Sequence, residues 1–189
     1  IITSTPDAVL TCKKPSVDLT ANGSLGPNIQ HSWLQSNGTL ISQNIQILAN
    51  QSGTIILEIT DTSNACISYD TILISENKIQ PLAVSSADQL FKCSDSTLIL
   101  TNVGSSSGSQ YIYQWITSNG SIVGNTNQGQ ITINKPGIYS LIVTDTINGC
   151  SDTTLTNVNP DTNIPTASIL APGKLTCTIQ SIDLSASAS

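Results

Sequence analysis

The chain is short of almost everything that marks a catalyst, a nucleic-acid binder or a membrane protein. Charged residues make up 10% of its 189 positions, aromatics 4%, and there is no methionine and a single phenylalanine. Low charge combined with ordinary hydrophobicity excludes intrinsic disorder, which needs the opposite balance. The formal net charge is −6, and the six basic side chains are scattered as Lys13, Lys14, Lys78, Lys92, Lys135 and Lys174. They form no basic stripe, and binding to a phosphate backbone needs one, so nucleic acid is excluded as a partner. No apolar run approaches the roughly 18 residues of a membrane span. Long runs of Ala, Glu, Lys and Leu are also missing. What fills the chain instead is Ser, Thr, Asn, Ile and Leu, and the β-branched residues among these are stiff at χ1 and suit a pleated surface. The expectation is an all-β protein.

Internal repetition decides the organisation. Trp33-Leu34-Gln35-Ser36-Asn37-Gly38 recurs as Trp115-Ile116-Thr117-Ser118-Asn119-Gly120. Asp61-Thr62-Ser63-Asn64-Ala65-Cys66 recurs as Asp145-Thr146-Ile147-Asn148-Gly149-Cys150, and Leu10-Thr11-Cys12 matches Phe91-Lys92-Cys93 and Leu175-Thr176-Cys177. Three anchors in the same order define a unit of a little over 80 residues. The division this suggests is a first repeat over 5–78, a second over 79–162, and the N-terminal part of a third over 163–189. Residues 1–4 read as the tail of a preceding copy, and the whole as a window into a longer chain.

Within each unit apolar residues alternate at period 2, the signature of half-buried strands. Copy one shows Val17/Leu19, Ile29/His31/Trp33, Ile45/Ile47, Ile55/Leu57/Ile59 and Ile72/Ile74. Copy two shows Leu98/Leu100, Tyr111/Tyr113/Trp115, Ile131/Ile133, Tyr139/Leu141/Val143 and Leu155. Turn dipeptides such as Asn22-Gly23, Asn37-Gly38, Asn119-Gly120 and Asn148-Gly149 separate them. Short strands at this spacing predict tandem Ig-like Greek-key β-sandwiches. The short proline-bearing linkers near 77–81 and 159–165 predict stiff joints.

Five cysteines make an odd count. Cys12 and Cys66 bracket Trp33, and Cys93 and Cys150 bracket Trp115, an order similar to the immunoglobulin core, in which a buried indole packs on an intersheet disulfide. The favoured pairing is one disulfide per domain, Cys12–Cys66 and Cys93–Cys150, with Cys177 paired to a residue outside the chain. Four cysteines allow three connectivities, and pairing across domains is the main alternative. Trp33 and Trp115 are the predicted core indoles. No Cys-x-x-Cys cluster with histidine is present, so no metal site or cofactor is read from the sequence. Disulfides imply an oxidising, extracellular location.

Gly137-Ile138-Tyr139-Ser140-Leu141-Ile142-Val143-Thr144-Asp145, followed by Asn148-Gly149-Cys150-Ser151-Asp152-Thr153, resembles the tandem Ig-like and PKD-like repeats of giant surface adhesins of Bacteroidota, which leave the cell by type IX secretion. The resemblance covers essentially the whole chain. It implies extracellular sandwiches in long stalks or filaments at the cell surface. Copy one departs from it in carrying Ile55 where copy two has Tyr139, which weakens a tyrosine-corner role there. That group O-glycosylates Asp-Ser/Thr-apolar motifs, so Thr71 in Asp70-Thr71-Ile72 and Thr146 in Asp145-Thr146-Ile147 become candidate sugar carriers. Asn22, Asn37, Asn50 and Asn119 lie in N-glycosylation sequons.

The remaining candidates read as structural. His31 is the only histidine and aligns with Tyr113, so it has no counterpart in the second copy. Asp61 and Asp145 occupy matching turns, where a carboxylate bonds nearby backbone amides; calcium needs six to eight oxygens, and no Asp-x-Asp cluster supplies them. No catalytic residue is assigned. The reading is a structural repeat region that associates with itself as a fibre or with neighbouring repeats. The alternatives are an adhesion module for glycans or a host surface, and an accessory region of a larger secreted enzyme.

Overall fold

Val17, Leu19 and Ala21 are buried while Asp18 is exposed, so the alternation of the first apolar stretch becomes one face of a strand laid on a core. A computed structural model of the chain describes residues 1–4, 8–169 and 173–188, and all the regular structure among them is β. The first unit contains β1 (Ile2–Ser4), β2 (Val9–Thr11), β3 (Val17–Ala21), β4 (Ile29–Gln35), β5 (Leu40–Ser42), β6 (Gln46–Ala49), β7 (Gly53–Asp61) and β8 (Cys66–Asn77). They form two sheets, β1-β3-β6 and β2-β8-β7-β4-β5. Their inner faces enclose Leu10, Leu19, Trp33, Leu57 and Ile74. The entering chain serves both sheets, pairing antiparallel with β3 through β1 and parallel with β8 through β2. This sheet switch is a familiar way of closing the two edges of an immunoglobulin-type sandwich.

Residues 1–4 therefore belong to the first unit and are not the tail of a preceding one. Ile2 packs against the first core, and its backbone N–H donates to Asp70 Oδ2 at 2.7 Å. A strand of three residues carries too little periodicity to be assigned from sequence. The expected boundary at Thr5 lies outside the described residues.

The second unit contains β9 (Gln89–Phe91), β10 (Leu98–Thr101), β11 (Tyr111–Thr117), β12 (Ser121–Val123), β13 (Gln130–Lys135), β14 (Gly137–Asp145) and β15 (Ser151–Pro160). Its sheets are β10-β13-β12 and β11-β14-β15-β9. In place of a counterpart to β1, residues 82–86 are fastened by side chains. Asp152 accepts from Ala83 N at 2.9 Å, as Asp70 does from Ile2, and Ser105 both receives from and donates to the Val84 backbone at 2.8 Å. Farther on, β16 (Ala167–Ile169) pairs antiparallel with β17 (Ala186–Ala188).

Each core is centred on one indole. Trp33 and Trp115 are fully buried, and their Nε1–H groups donate to Asn44 O at 2.8 Å and Gln128 O at 3.0 Å. Tyr139 is fully buried as well, and its hydroxyl accepts from Ser121 N at 3.0 Å and donates to Lys135 O. That clamp ties β14 to the start of β12 and the end of β13. Tyr139→Phe leaves the half-buried Ser121 N–H and the Lys135 carbonyl without this partner, and is expected to cost the second unit about 1 kcal/mol in chemical denaturation. Ile55, at the equivalent place in the first unit, has no hydroxyl to make such a clamp.

Candidate functional site: the joint between the two units

The turn between β14 and β15 is shaped by its own side chains. Asp145 Oδ1 accepts from Ile147 N, and Asn148 Oδ1 accepts from Cys150 N, each at 2.8 Å. Thr146 donates its N–H and its hydroxyl to Gln110 O, both at 2.8 Å, which pins the turn to the strand beside it. Gly149 takes φ +75°, a conformation open to glycine at little cost. The result is a rigid protrusion with Asn148 and Cys150 at its tip, both about 1% exposed because the first unit covers them.

The covering surface is the opposite pole of the first unit, where β8 ends and the loop after β2 begins. The Asn148 amide donates to Asn77 Oδ1 at 3.1 Å and to Ile79 O at 2.9 Å. Asn148 O accepts from Lys13 N at 3.1 Å, and Thr146 O accepts from Lys13 Nζ at 2.9 Å. Contact is so close that a Cβ on Gly149 would lie 2.6 Å from Lys13 Cβ. At its centre Cys12 and Cys150 form a disulfide across a sequence separation of 138, with Cα atoms 5.0 Å apart.

This connectivity corrects the expected one disulfide per domain. Thr11 sits beside Asn77 at the end of β8, while Cys66 opens that same strand of 12 residues. At ~3.3 Å per residue, Cys12 and Cys66 lie at opposite poles, more than ~30 Å apart along the strand, where a disulfide needs Cα atoms within about 7 Å. Cys93 and Cys150 are separated in the same way, since Phe91 pairs with Pro160 and Cys150 precedes the first residue of β15. Neither Cys12–Cys66 nor Cys93–Cys150 forms. Cys66, Cys93 and Cys177 are free and exposed. Sequence held one hint of this: Cys12 is followed by Lys13-Lys14 and Cys93 by Ser94-Asp95, polar company for a disulfide meant to sit inside a sandwich.

The other candidates stand apart from the joint. Thr71 is exposed on β8, its N–H donating to Asp70 Oδ1 at 2.9 Å. Thr146 is exposed too, but its hydroxyl is already spent on Gln110. Asp61 caps its turn through Ser63 N and Oγ at 2.9 and 2.6 Å, and the Ser63 hydroxyl, more than any other group, holds its carboxyl below the ordinary range. Bonds from the backbone of Ile2, then of Thr71, lower Asp70 in the same sense. His31 is buried on β4 opposite Ile59, its Nε2 without a hydrogen-bond partner among the described residues. No group of three or more His, Cys, Asp or Glu is placed to hold a metal among the described residues. The sequon residues Asn37 and Asn50 line an open cleft of about 390 Å³ between Gln35 and Ile55, whose walls carry no titratable side chain.

No protein-family profile and no curated protein matches the chain. Among solved structures it is similar to the three N-terminal domains of the highly immunogenic outer capsid protein Hoc of bacteriophage RB49. Identity there is 12%, the TM-score 0.42, and the match covers 100% of this chain and 68% of the other. It is similar also to extracellular domains 3–5 of Drosophila OTK, at 13% identity and TM-score 0.35, covering 85% of this chain and 63% of that one. A third is the I67–I69 fragment of the titin I-band, at 12% identity and TM-score 0.32, covering 85% and 59%. From its own strand pairing the chain is a tandem of Ig-like β-sandwiches, and the two are joined pole to pole by a disulfide.

Proposed function

We propose that the chain is a strut of an extracellular surface protein, in which successive sandwiches are held at a fixed angle so that the region transmits tension and resists bending. The joint supports this reading. Four hydrogen bonds and a disulfide converge on the turn from Thr146 to Cys150, where a flexible tandem would have only a linker. Interfaces between domains of one chain are ordinarily polar and permit relative motion; a covalent bond beside the linker removes most of that freedom. The disulfide also fits an oxidising compartment. On this reading the stalk of a surface adhesin, of the kind the sequence resembles in Bacteroidota, is the natural setting, and assembly into fibres would use the same pole-to-pole contact.

Small-angle scattering on the oxidised and reduced forms tests the proposal. The oxidised protein is expected to fit one arrangement of the two units. Reduction, or Cys12→Ser, is expected to broaden the distribution of inter-unit angles while far-ultraviolet circular dichroism stays unchanged. Indistinguishable scattering before and after reduction would remove the staple from the argument.

A further inference from the structure

The joint is built from two parts that occur more than once in the chain, and each part has an unengaged copy. The engaged protrusion is the Asp145–Cys150 turn; its counterpart in the first unit is the Asp61–Cys66 turn. The two are held alike. Thr62 donates N–H and hydroxyl to Asn28 O at 2.8 and 3.0 Å, as Thr146 does to Gln110. Asn64 Oδ1 accepts from Cys66 N at 2.8 Å, as Asn148 does from Cys150. What differs is the Asn side-chain amide. Asn148 sends it across the joint, whereas Asn64 folds it back onto Asp61 Oδ2 at 3.2 Å, and Cys66 is exposed with a free thiol.

The receiving surface is duplicated too. In the first unit Thr11 N donates to Lys14 O at 2.9 Å, shaping the loop that carries Cys12. In the second, Lys92 N donates to Asp95 Oδ2 at 2.9 Å and Asp95 N to Lys92 O at 3.0 Å, shaping the loop that carries Cys93. Asp161 N bonds Phe91 O at 2.9 Å, which puts Asp161 where the first unit has Asn77. The second unit thus presents the main parts of a receiving pole: an exposed thiol at Cys93 on a loop of like shape, and the Asp161 carboxylate, whose Oδ1 holds Asn163 N at 3.0 Å, beside it for an asparagine amide. Ser94 stands where Lys13 does, so the lysine side-chain bond to the turn has no counterpart there.

We propose that Cys93 and Cys66 are half-staples that pair with further copies of this same repeat. Cys93 takes the turn cysteine of a following copy, and Cys66 takes the loop cysteine of a preceding one. Each pairing removes a proton from both thiols, forms the S–S bond, and passes two electrons to the disulfide of a thiol oxidoreductase, which leaves as a dithiol. Carried along an array, the rule joins the loop cysteine of every repeat to the turn cysteine of the next. Cys66 and Cys93 are 27 positions apart (93 − 66), as are Cys150 and Cys177 (177 − 150). Two interleaved covalent tracks then run the length of the array, each crossing from one staple to the next through 27 residues. Ala65 stands where Gly149 does, at φ +59°. Its methyl would meet a neighbour placed like Lys13, so the loop that receives Cys66 must leave room there.

The inference extends the strut reading, and its test is independent of the scattering experiment, because the Cys12–Cys150 joint persists whatever Cys93 does. Protein isolated under thiol-blocking conditions without reductant is cut with trypsin and chymotrypsin, and its linked peptides are sequenced by mass spectrometry. The expected result is Cys12 linked to Cys150, and Cys93 linked to a peptide bearing an Asn-x-Cys turn from another repeat copy. Non-reducing electrophoresis assigns that copy to the same polypeptide, when mobility corresponds to a single chain, or to a second one, when a ladder appears; both outcomes support the proposal. Blocked, unlinked Cys93 and Cys66 would overturn it. So would Cys66 joined to Cys93 within a single-chain species, or Cys93 joined to Cys150.

Discussion

Stretched between its ends, the oxidised protein is expected to yield almost no length from the two sandwiches, and the reduced protein to yield both. The reason is the path that tension takes. From the N-terminus it runs through β1 and β2 to Cys12, crosses the disulfide to Cys150, and leaves along β15. Everything from β3 to β14 lies inside the closed loop. That loop spans 138 positions, so about 480 Å of contour is hidden at ~3.5 Å per extended residue. The force can still peel β1, β2 and β15 from their sheets, because these lie outside the loop. In single-molecule pulling at constant velocity, the oxidised form should show only short early extensions. A thiol reductant should restore unfolding steps that add the hidden length. Full-length steps with the disulfide intact would mean that the staple does not form in the working protein. The staple also restricts the unfolded state. A closed loop of this size corresponds to about 5 kcal/mol in the chain-entropy treatment, and measured values for native disulfides run at about 2–5 kcal/mol.

Much of this was legible in the sequence, and the part that was not has a geometric cause. The strands around Val17, Trp33, Leu57, Leu100, Trp115 and Leu141 follow from period-2 alternation, because each sheet has one face on a core and one in water. The turns follow from Asp and Asn side chains that bond the backbone two residues on, as Asp61, Asn64, Asp145 and Asn148 all do. The pairing of cysteines does not follow, because periodicity places a residue on a face and says nothing of which pole of the sandwich it occupies. Cys12 and Cys66 bracket the same indole in sequence and lie at opposite ends of β8 in space. The function of Asn148 was hidden for a related reason. Its twin Asn64 makes the same intra-turn bond, and only contact with Asn77 and Ile79 separates the two. The β1 strand was lost to its own brevity. The second unit's departures, with β12 moved to β13 and serine hydroxyls holding residues 82–86, carry no local signal that distinguishes them from the first.

Removal of a core indole is expected to damage its own unit and spare the other, with the first unit unfolded and the second only loosened. Trp→Ala in a packed core costs about 3–5 kcal/mol, against the 5–15 kcal/mol that an entire domain commonly possesses. The carbonyls of Asn44 and Gln128 also lose their indole donors. In the first unit the residues left around the hole are Leu10, Val17, Leu19, Ala21, Ala49, Ile55, Leu57 and Ile74, with no aromatic side chain among them. In the second, Tyr139 stays in the core with its hydroxyl clamped, and Phe91, Tyr111 and Tyr113 pack around it. Hydrogen exchange resolved by peptide reads the two units separately. Trp33→Ala should abolish protection across β3–β8 and leave β10–β15 slow to exchange. Trp115→Ala should reduce protection in β10–β15 to a smaller degree, and with it the ordering of the Asp145–Cys150 turn on which the joint depends. The disulfide ties the poles of the units without merging their cores, so the two losses should remain separate. If either substitution abolished protection in both units together, the pair would be one cooperative body, and the joint would contribute to folding as well as to the transmission of force.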